Sequence, residues 1–494
     1  VSDAESLVQH LERPLGRGHS PAGAFTGAAG GAACGDLIRV SIAIDPSSPE
    51  ARIEDAGFDA SGCGTSFAAG SAAVGLLRGA PLLKAARIGA EEIAAELGGL
   101  TLAKRHAAEL AADALHRALG GAAREAAALT PRPGRTLVAM SGGVDSAVAA
   151  LLVAGEGAET VGVTLELWSD PENDGDLSCC SAQAVRGARG LAHALGMPHL
   201  SIDLRAEFRA GVVEHWLSER AAGLTPNPCV RCNGRVRLDA MLELTRRLGS
   251  ETLVTGHYAR IEQGPLLRIA ADESKDQSYV LSTLAPSSLA RLRFPLGELA
   301  KPQVRALAQR AGLAVAGRRD SQDLCFLAGT RQGDFLERHG GLTARPGPIV
   351  DREGRMLGEH AGAHVFTVGQ RHGLGVGAGG PFYVLATDVG ANTVTVGPRE
   401  ELLAQRLIVS ELTLHRRGGE VNGVRVRAHG RRFPCRLDED LGAGHHAGAR
   451  IELEEPAERT APGQLACLYA GDLLVGHATI AHLAPRTRPE IIHR

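Results

Sequence analysis

The stretch LVAMSGGVDSAVAALLV, Leu137 to Val153, constrains this chain more than any other. An apolar run enters a Ser-Gly-Gly-Val-Asp-Ser turn and leaves it as an Ala-rich apolar segment, which reads as a buried strand, a glycine turn and a helix. Such a turn aims backbone N–H groups at one point beside a helix N-terminus, where the macrodipole favours anions. Ser141, Gly142, Gly143, Val144, Asp145 and Ser146 are therefore candidate phosphate-binding residues, and Ala139 and Met140 just before them join the candidate cofactor-binding set. A loop of the G-x-x-x-x-G-K-[ST] type needs a lysine, and none is present here. The bland alternative is an ordinary glycine-containing connection.

The surrounding sequence sets the fold class. TLVAMS, TVGVTLEL, HLSIDL and ETLVTGHYA read as short buried strands, with the helical segments SAQAVRGARGLAHALG and RVRLDAMLELTRRLG between them. This alternation predicts an α/β domain with a doubly wound parallel sheet. From about Pro346 the texture becomes short alternating runs broken by turns, so the C-terminal part is expected to be mostly β. ALGGAAREAAALTPRPGR, Ala118 to Arg135, is rich in small residues and ends with two prolines, marking a boundary after an N-terminal region of about 120 residues.

At 494 residues there is room for about three or four domains of roughly 150 residues each. Apolar content of 44% with 22% charged residues argues against disorder. A net charge of −3 means that a nucleic-acid partner must be met by local basic patches. Only four of the 53 basic residues are lysines, and Lys104, Lys275 and Lys301 of these lie in motif segments. No apolar run reaches the ~18 residues that span a bilayer, and VSDAESLVQHLERPLGR lacks a signal-peptide core, so the expected location is cytoplasmic with no membrane partner. Nine scattered cysteines then suggest thiol, metal or catalytic roles rather than structural disulfides.

The loop resembles that of the ATP pyrophosphatases, which split ATP into AMP and pyrophosphate to activate a substrate oxygen. That resemblance implies ATP as cofactor, with Asp145 assisting through Mg2+. TPNPCVRCN, VTGHYARI, KDQSYVLS, RDSQDLCFL, TVGQRHGLGVG and APGQLACLY follow in the order seen in the bacterial tRNA-specific 2-thiouridylases, over about Thr136 to His482. By itself the C-x-x-C of Cys229 and Cys232 fits a zinc half-site, a redox pair or two packed thiols. The family converts the C2 oxygen of the wobble uridine of tRNA to sulfur. Carried over by position, Cys232 matches the nucleophile and Cys325 the persulfide carrier, while Gly256 and Leu165 match the nucleotide site. Asn227, Pro228, Cys229, His257, Lys275, Asp276, Gln277, Arg427, Ala428 and Gln464 match tRNA contacts, with Ala428 departing from the usual tyrosine. Many relatives carry aspartate in place of Cys229. Three thiols, Cys229, Cys232 and Cys325, are the ligand set of a 4Fe–4S cluster with one open iron, so persulfide and cluster routes both stay open. In Cys179 and Cys180 the vicinal pair reads as sulfur handling or as two unpaired thiols, and Ala184 and Gly187 replace two family acids. Cys435 and Cys467 read as core thiols.

The first 120 residues carry AACGDLIRVSIAID, FDASGCGTSFAAGSAAVGLLRG and KRHAAELAADALHRAL. They resemble the NifU/IscU-type iron–sulfur scaffolds over about His10 to Leu119, which implies an α+β domain. Cys34, Asp36 and Cys63 match metal-site residues, and His106 joins them as a possible zinc or iron ligand. Ala107 stands where the third cysteine belongs, leaving two thiolates for a cluster that wants more. The resemblance implies a cysteine desulfurase, or another sulfur donor, as partner.

The expected organisation is a scaffold-like domain (1–122), a linker (123–135), a pyrophosphate-loop domain (136–333), a small central domain (334–404) and a C-terminal β-barrel (405–494). The alternatives are a different adenylating tRNA thiolase and an iron–sulfur or sulfur carrier with a non-catalytic C-terminal region.

Overall fold

A computed structural model describes residues 3–31, 35–170, 181–318, 324–327, 329–376 and 381–481. Cys34, Cys179 and Cys180 lie outside them. The chain forms two compact units, residues 1–209, 235–259 and 285–328 in the first and 210–234, 260–284 and 329–494 in the second.

The first unit opens with three antiparallel strands, β1 (Phe25–Gly30), β2 (Leu37–Ile44) and β3 (Ile53–Ser61). Alternate residues of β2, Ile38, Val40 and Ile42, are fully buried, as period-two patterning demands. The helices Gly64–Leu77 and Arg105–Glu125 cover this sheet. Then come β4 (Thr136–Ala139), β5 (Thr160–Glu166), β6 (His199–Asp203) and β7 (Thr252–Val254). With Leu292–Arg293 they form a parallel sheet in the order Leu292–Arg293, β7, β4, β5, β6. All of β4 and β5 is buried, which explains their unbroken apolar runs. The chain winds from β4 outward to β6 and then returns to β7 on the other side, so the topological switch falls at β4. In open parallel sheets ligands bind beyond the carboxyl ends of strands at that point. The glycine turn starts there.

The helix Arg105–Glu125 joins the two sheets. A Cβ on Gly27 of β1 would stand 2.1 Å from Ala114 O, and one on Gly120 would stand 1.8 Å from Ser201 O in β6. The helix therefore meets both sheets backbone to backbone. Polar ties fix the second face: Arg186 and Arg189 of the helix Ala182–Ala194 each donate to Asp113 at 2.7 Å. Arg117 donates to Glu166 at 3.1 and 2.9 Å. The expected linker is pinned as well. Leu129 and Arg132 N–H donate to the carbonyls of Arg247 and Gly249 at 2.8 and 3.0 Å, and the buried Arg135 donates to Leu248 O at 2.7 Å.

The second unit is mostly β. Four strands, Met356–His360, Gly347–Val350, Thr393–Gly397 and Tyr383–Asp388, form a small sheet around Ile349, Val384, Val394 and Val396. Six strands between Leu403 and Ile480 close into a barrel by pairing the first, Leu403–Leu414, with the last, Leu473–Ile480. Its core includes Val424, Ile451, Leu468 and Val475. Cys435 and Cys467 belong to this barrel, and burial pushes both thiols up to about 12, so they are packing groups. No described helix is long and apolar enough to cross a membrane.

Candidate functional site: the glycine loop, the thiols and the acid–thiol–imidazole group

Gly142 sits at φ +71°, a conformation that favours glycine, and the helix Val144–Ala154 starts two residues later. The loop hydroxyls brace it. Ser146 Oγ accepts from Ser141 N–H at 3.1 Å and donates to Gly143 O at 3.1 Å. Gly256, two residues beyond β7, approaches so closely that a Cβ would fall 2.7 Å from Ser146 N. Leu165 lies buried in β5. Thus predicted nucleotide residues lie at the carboxyl ends of β4 and β5 and just beyond that of β7.

Sequence reasoning missed the cation. Lys301 opens the helix Lys301–Arg310, and its Nζ donates to both carboxylate oxygens of Asp145 at 2.7 and 2.8 Å. The Lys301 side chain is only 9% exposed, whereas that of Asp145 is 32% exposed. Tyr258 OH donates to Asp145 at 2.8 Å, and Arg318 donates to Gly142 O at 2.9 Å. The lysine absent from the loop is thus supplied 156 residues later. Its presence in a motif segment was visible, but nothing in the spacing paired it with Asp145.

The predicted thiols divide between the units. Cys229 is exposed and Cys232 half-buried in the second unit; Cys325 is half-buried in the first. Asn227 caps the short helix Pro228–Arg231 by accepting from Cys229 N–H at 3.0 Å, with Pro228 in its first turn. A π-helical stretch, Cys232–Arg237, begins at Cys232, the expected nucleophile; such local irregularities are common at functional sites. Cys325 sits on a turn anchored by the buried Phe326, whose ring lies 6.4 Å from Trp168 and 6.2 Å from Phe208.

The residues expected to touch tRNA differ sharply in access. His257 is buried, hydrogen-bonded to Thr255 at 2.6 Å, and burial, with a smaller effect of Arg237, holds it down at about 3. Asp276 is turned inward, accepting from Arg425 at 2.5 Å and from Ser278 Oγ at 2.7 Å. Lys275 and Gln277 flank it and are half-buried. Arg427 is exposed, Ala428 half-buried, and the Gln464 amide donates to Thr225 O.

In the N-terminal sheet domain Asp36, Cys63 and His106 place one ligand atom each within 4.8 Å of one another, the only such group of three among the described residues. His106 Nε2 lies 2.7 Å from Asp36, and Cys63 N–H donates to the same carboxylate at 2.7 Å. These hydrogen bonds, that of His106 foremost, lower the Asp36 carboxyl, and the Asp36 bond raises His106. Gly62, at φ +119°, leaves room for this: a Cβ there would meet Asp36 Oδ1 at 1.8 Å. Ala107 is fully buried in the third-cysteine position. The set fits a zinc or iron ion, with sulfur, nitrogen and oxygen donors together.

A parallel sheet with a serine–glycine loop at its switch point defines a doubly wound α/β class with an anion-binding turn, and comparison with known proteins agrees on the fold. Residues 134–329 match the profile of the tRNA methyl transferase HUP domain, and 3–126 that of the NifU-like N terminal domain. Residues 333–398 match the tRNA methyl transferase PRC-barrel domain, and 406–480 the aminomethyltransferase beta-barrel domain. The chain is 42% identical over 488 residues to the bifunctional protein NifU/MnmA of Rubrobacter xylanophilus, covering 96% of this chain and 98% of that one. It is 45% identical to the tRNA-specific 2-thiouridylase MnmA of Thermobifida fusca and 41% to that of Geobacter metallireducens, covering 70% and 69% of this chain and 95% of each relative. The chain belongs to the MnmA family, in the form that carries a NifU-like domain at its N-terminus.

Proposed function

We propose that the chain is an ATP-dependent tRNA-uridine 2-sulfurtransferase acting at the wobble position. The observation that carries this is the loop at the sheet's switch point, with Asp145 clasped by Lys301, inside a chain akin to a bifunctional NifU/MnmA protein over nearly its whole length and to 2-thiouridylases over about 70% of it. A uridine C2 carbonyl is a poor electrophile. Attack of its oxygen on the α-phosphorus of ATP forms a P–O bond and expels pyrophosphate, after which that oxygen can leave as AMP. Loop N–H groups and the hydroxyls of Ser141 and Ser146 would hold the departing pyrophosphate, with Lys301 offsetting its charge. Bound Mg2+ would add charge neutralisation, with Asp145 and the loop hydroxyls as its protein donors.

In the persulfide route, the terminal sulfur on Cys325 attacks C2 as AMP departs, giving a C2–S–S–Cys325 linkage. The Cys232 thiolate then attacks the Cys325 sulfur. Its electron pair forms the Cys232–Cys325 disulfide and releases C2 as the thiocarbonyl; an external dithiol reduces the disulfide. The cluster route uses Cys229 as a third ligand, and the exposure of that thiol keeps it in view. Asp36, Cys63 and His106 would hold zinc or iron in the NifU-like domain, with Cys34 or Cys63 accepting sulfur from a cysteine desulfurase. These roles, and the cytoplasmic setting, are part of the same reading.

Asp145→Ala should remove tRNA-dependent pyrophosphate release while circular dichroism stays native; wild-type release would sink the nucleotide assignment. Cys232→Ser and Cys325→Ser should each abolish thiolation, and Cys435→Ser should not. Anaerobic reconstitution giving about four irons, lost on Cys229→Ser, would select the cluster route. Full activity of Cys229→Ser with a persulfide donor in air would select the other.

A further inference from the structure

A second cation besides Lys301 reaches the glycine loop. Arg318 lies on the turns that follow the helix Lys301–Arg310, and its NH1 donates to Gly142 O at 2.9 Å. That carbonyl belongs to the peptide joining Gly142 to Gly143. A trans peptide sets its C=O and N–H on opposite sides, so a hold on the Gly142 carbonyl also fixes the direction of the Gly143 N–H. The N–H groups of Gly142 and Gly143 make no hydrogen bond among the described residues. Both precede the eleven-residue helix Val144–Ala154, at the end where an anion is favoured.

The peptide needs an outside hold. Glycines flank it on both sides, which leaves it freer to rotate than any other link in the loop. A Cβ on Gly142, already at φ +71°, would stand 3.0 Å from Ala184 O, so the loop can carry no side chain of its own there. Ser146 braces Ser141 N–H and Gly143 O, the groups on either side, and leaves this peptide alone. Arg318 supplies the hold, and the lysine's helix carries it. Arg305, one turn after Lys301, donates through NH1 to Ala316 O and Arg318 O, both at 3.2 Å. One helix thus grips the loop at two points: the Asp145 side chain through Lys301, and the Gly142 backbone through Arg305 and Arg318. Arg318 itself is exposed and has no acidic partner among the described residues, so its charge is not cancelled locally.

We propose that Arg318 is a positioning residue for ATP cleavage: it sets the Gly142–Gly143 peptide so that the Gly143 N–H faces the departing pyrophosphate, and its charge polarises that donor. This rests on the loop being the nucleotide site and adds to it a residue outside the loop. A donor fixed in advance where charge develops lowers the barrier without reorganising during the reaction. Loss of one exposed side chain, by contrast, changes fold stability little. The two effects are therefore separable.

The test is tRNA-dependent pyrophosphate release by the full chain, comparing wild type with Arg318→Met, Arg318→Lys and Arg310→Met, the last an equal charge loss at the exposed far end of the same helix. Arg318→Met should lower kcat by about tenfold to a hundredfold, the scale of a misplaced catalytic contact. It should also weaken inhibition by added pyrophosphate, while the tRNA KM and the thermal unfolding midpoint stay at wild-type values. Arg318→Lys keeps the charge and one donor and should recover most of the loss, and Arg310→Met should behave as wild type. A wild-type kcat in Arg318→Met would overturn the proposal. So would an equal loss in Arg310→Met, or a fall in kcat that tracks a lowered unfolding midpoint and is not recovered by lysine. If the wild-type chain releases no pyrophosphate with tRNA, the nucleotide reading itself has failed, and this proposal with it.

Discussion

Two aspartates in this molecule are each gripped by a cation recruited from far along the chain. In the first unit Asp145 meets Lys301; in the second Asp276 meets Arg425, 149 residues away. The sequence reading placed both aspartates at ligand contacts. Their surroundings separate them. Asp145 is 32% exposed on a glycine loop, whereas the Asp276 side chain is 0% exposed, with its oxygens also taken by Ser278 and the Ala270 N–H. The same pair of charges is open to solvent on the glycine loop and is an internal strut around Asp276. Burial decides the role.

Breaking the strut should have the larger effect on stability. Arg425→Met leaves Asp276 buried and uncompensated, and should cost about 3–5 kcal/mol in the second unit, measured by urea unfolding. A loss near that of an exposed ion pair, under about 1 kcal/mol, would erase the contrast. On the loop side, Lys301→Met should lower the rate of tRNA-dependent pyrophosphate release by about 10²–10³ with little change in unfolding, and Lys301→Arg should recover part of it. A stability loss as large as that of Arg425→Met, with the rate intact, would make Lys301 a strut too.

Acid should act through a different set of groups. Burial holds His116 and His199 well below their ordinary value, and lowers His193, where the helix Arg105–Glu125 meets β6 and the helix Ala182–Ala194. These imidazoles are neutral when folded and take up protons on unfolding. Stability is therefore full above about pH 6.5 and falls as pH drops below it. Thermal unfolding from pH 7.5 to 5 should show this loss in the first unit, followed by Trp168 fluorescence; a flat profile would mean the histidines stay solvated. The smallest effect is expected from Tyr258→Phe. Removing one hydroxyl from Asp145 should cost about 0.5–1.5 kcal/mol in pyrophosphate release, read as a rate reduction of up to about tenfold.

Much of this was legible in the residues. The SGGVDS turn between an apolar run and an Ala-rich segment marks a strand, an anion-binding loop and a helix, because backbone stereochemistry and hydrophobic period are local properties. Asp36, Cys63 and His106 were each visible as ligand types, and the structure does bring them together. Other features depended on the packed chain. Nothing local reveals that Lys301 lands on Asp145, that Asp276 turns inward to Arg425, or that His257 is buried. Nor does composition show that the proline-ended segment before β4 is pinned by Arg247, Leu248 and Gly249, or that Gly120 is needed because a strand carbonyl lies against the helix. Sequence determined the elements and the chemical types available. Tertiary structure decided which charges face water and which face each other, because desolvation and close packing are set by groups as much as about 150 residues apart.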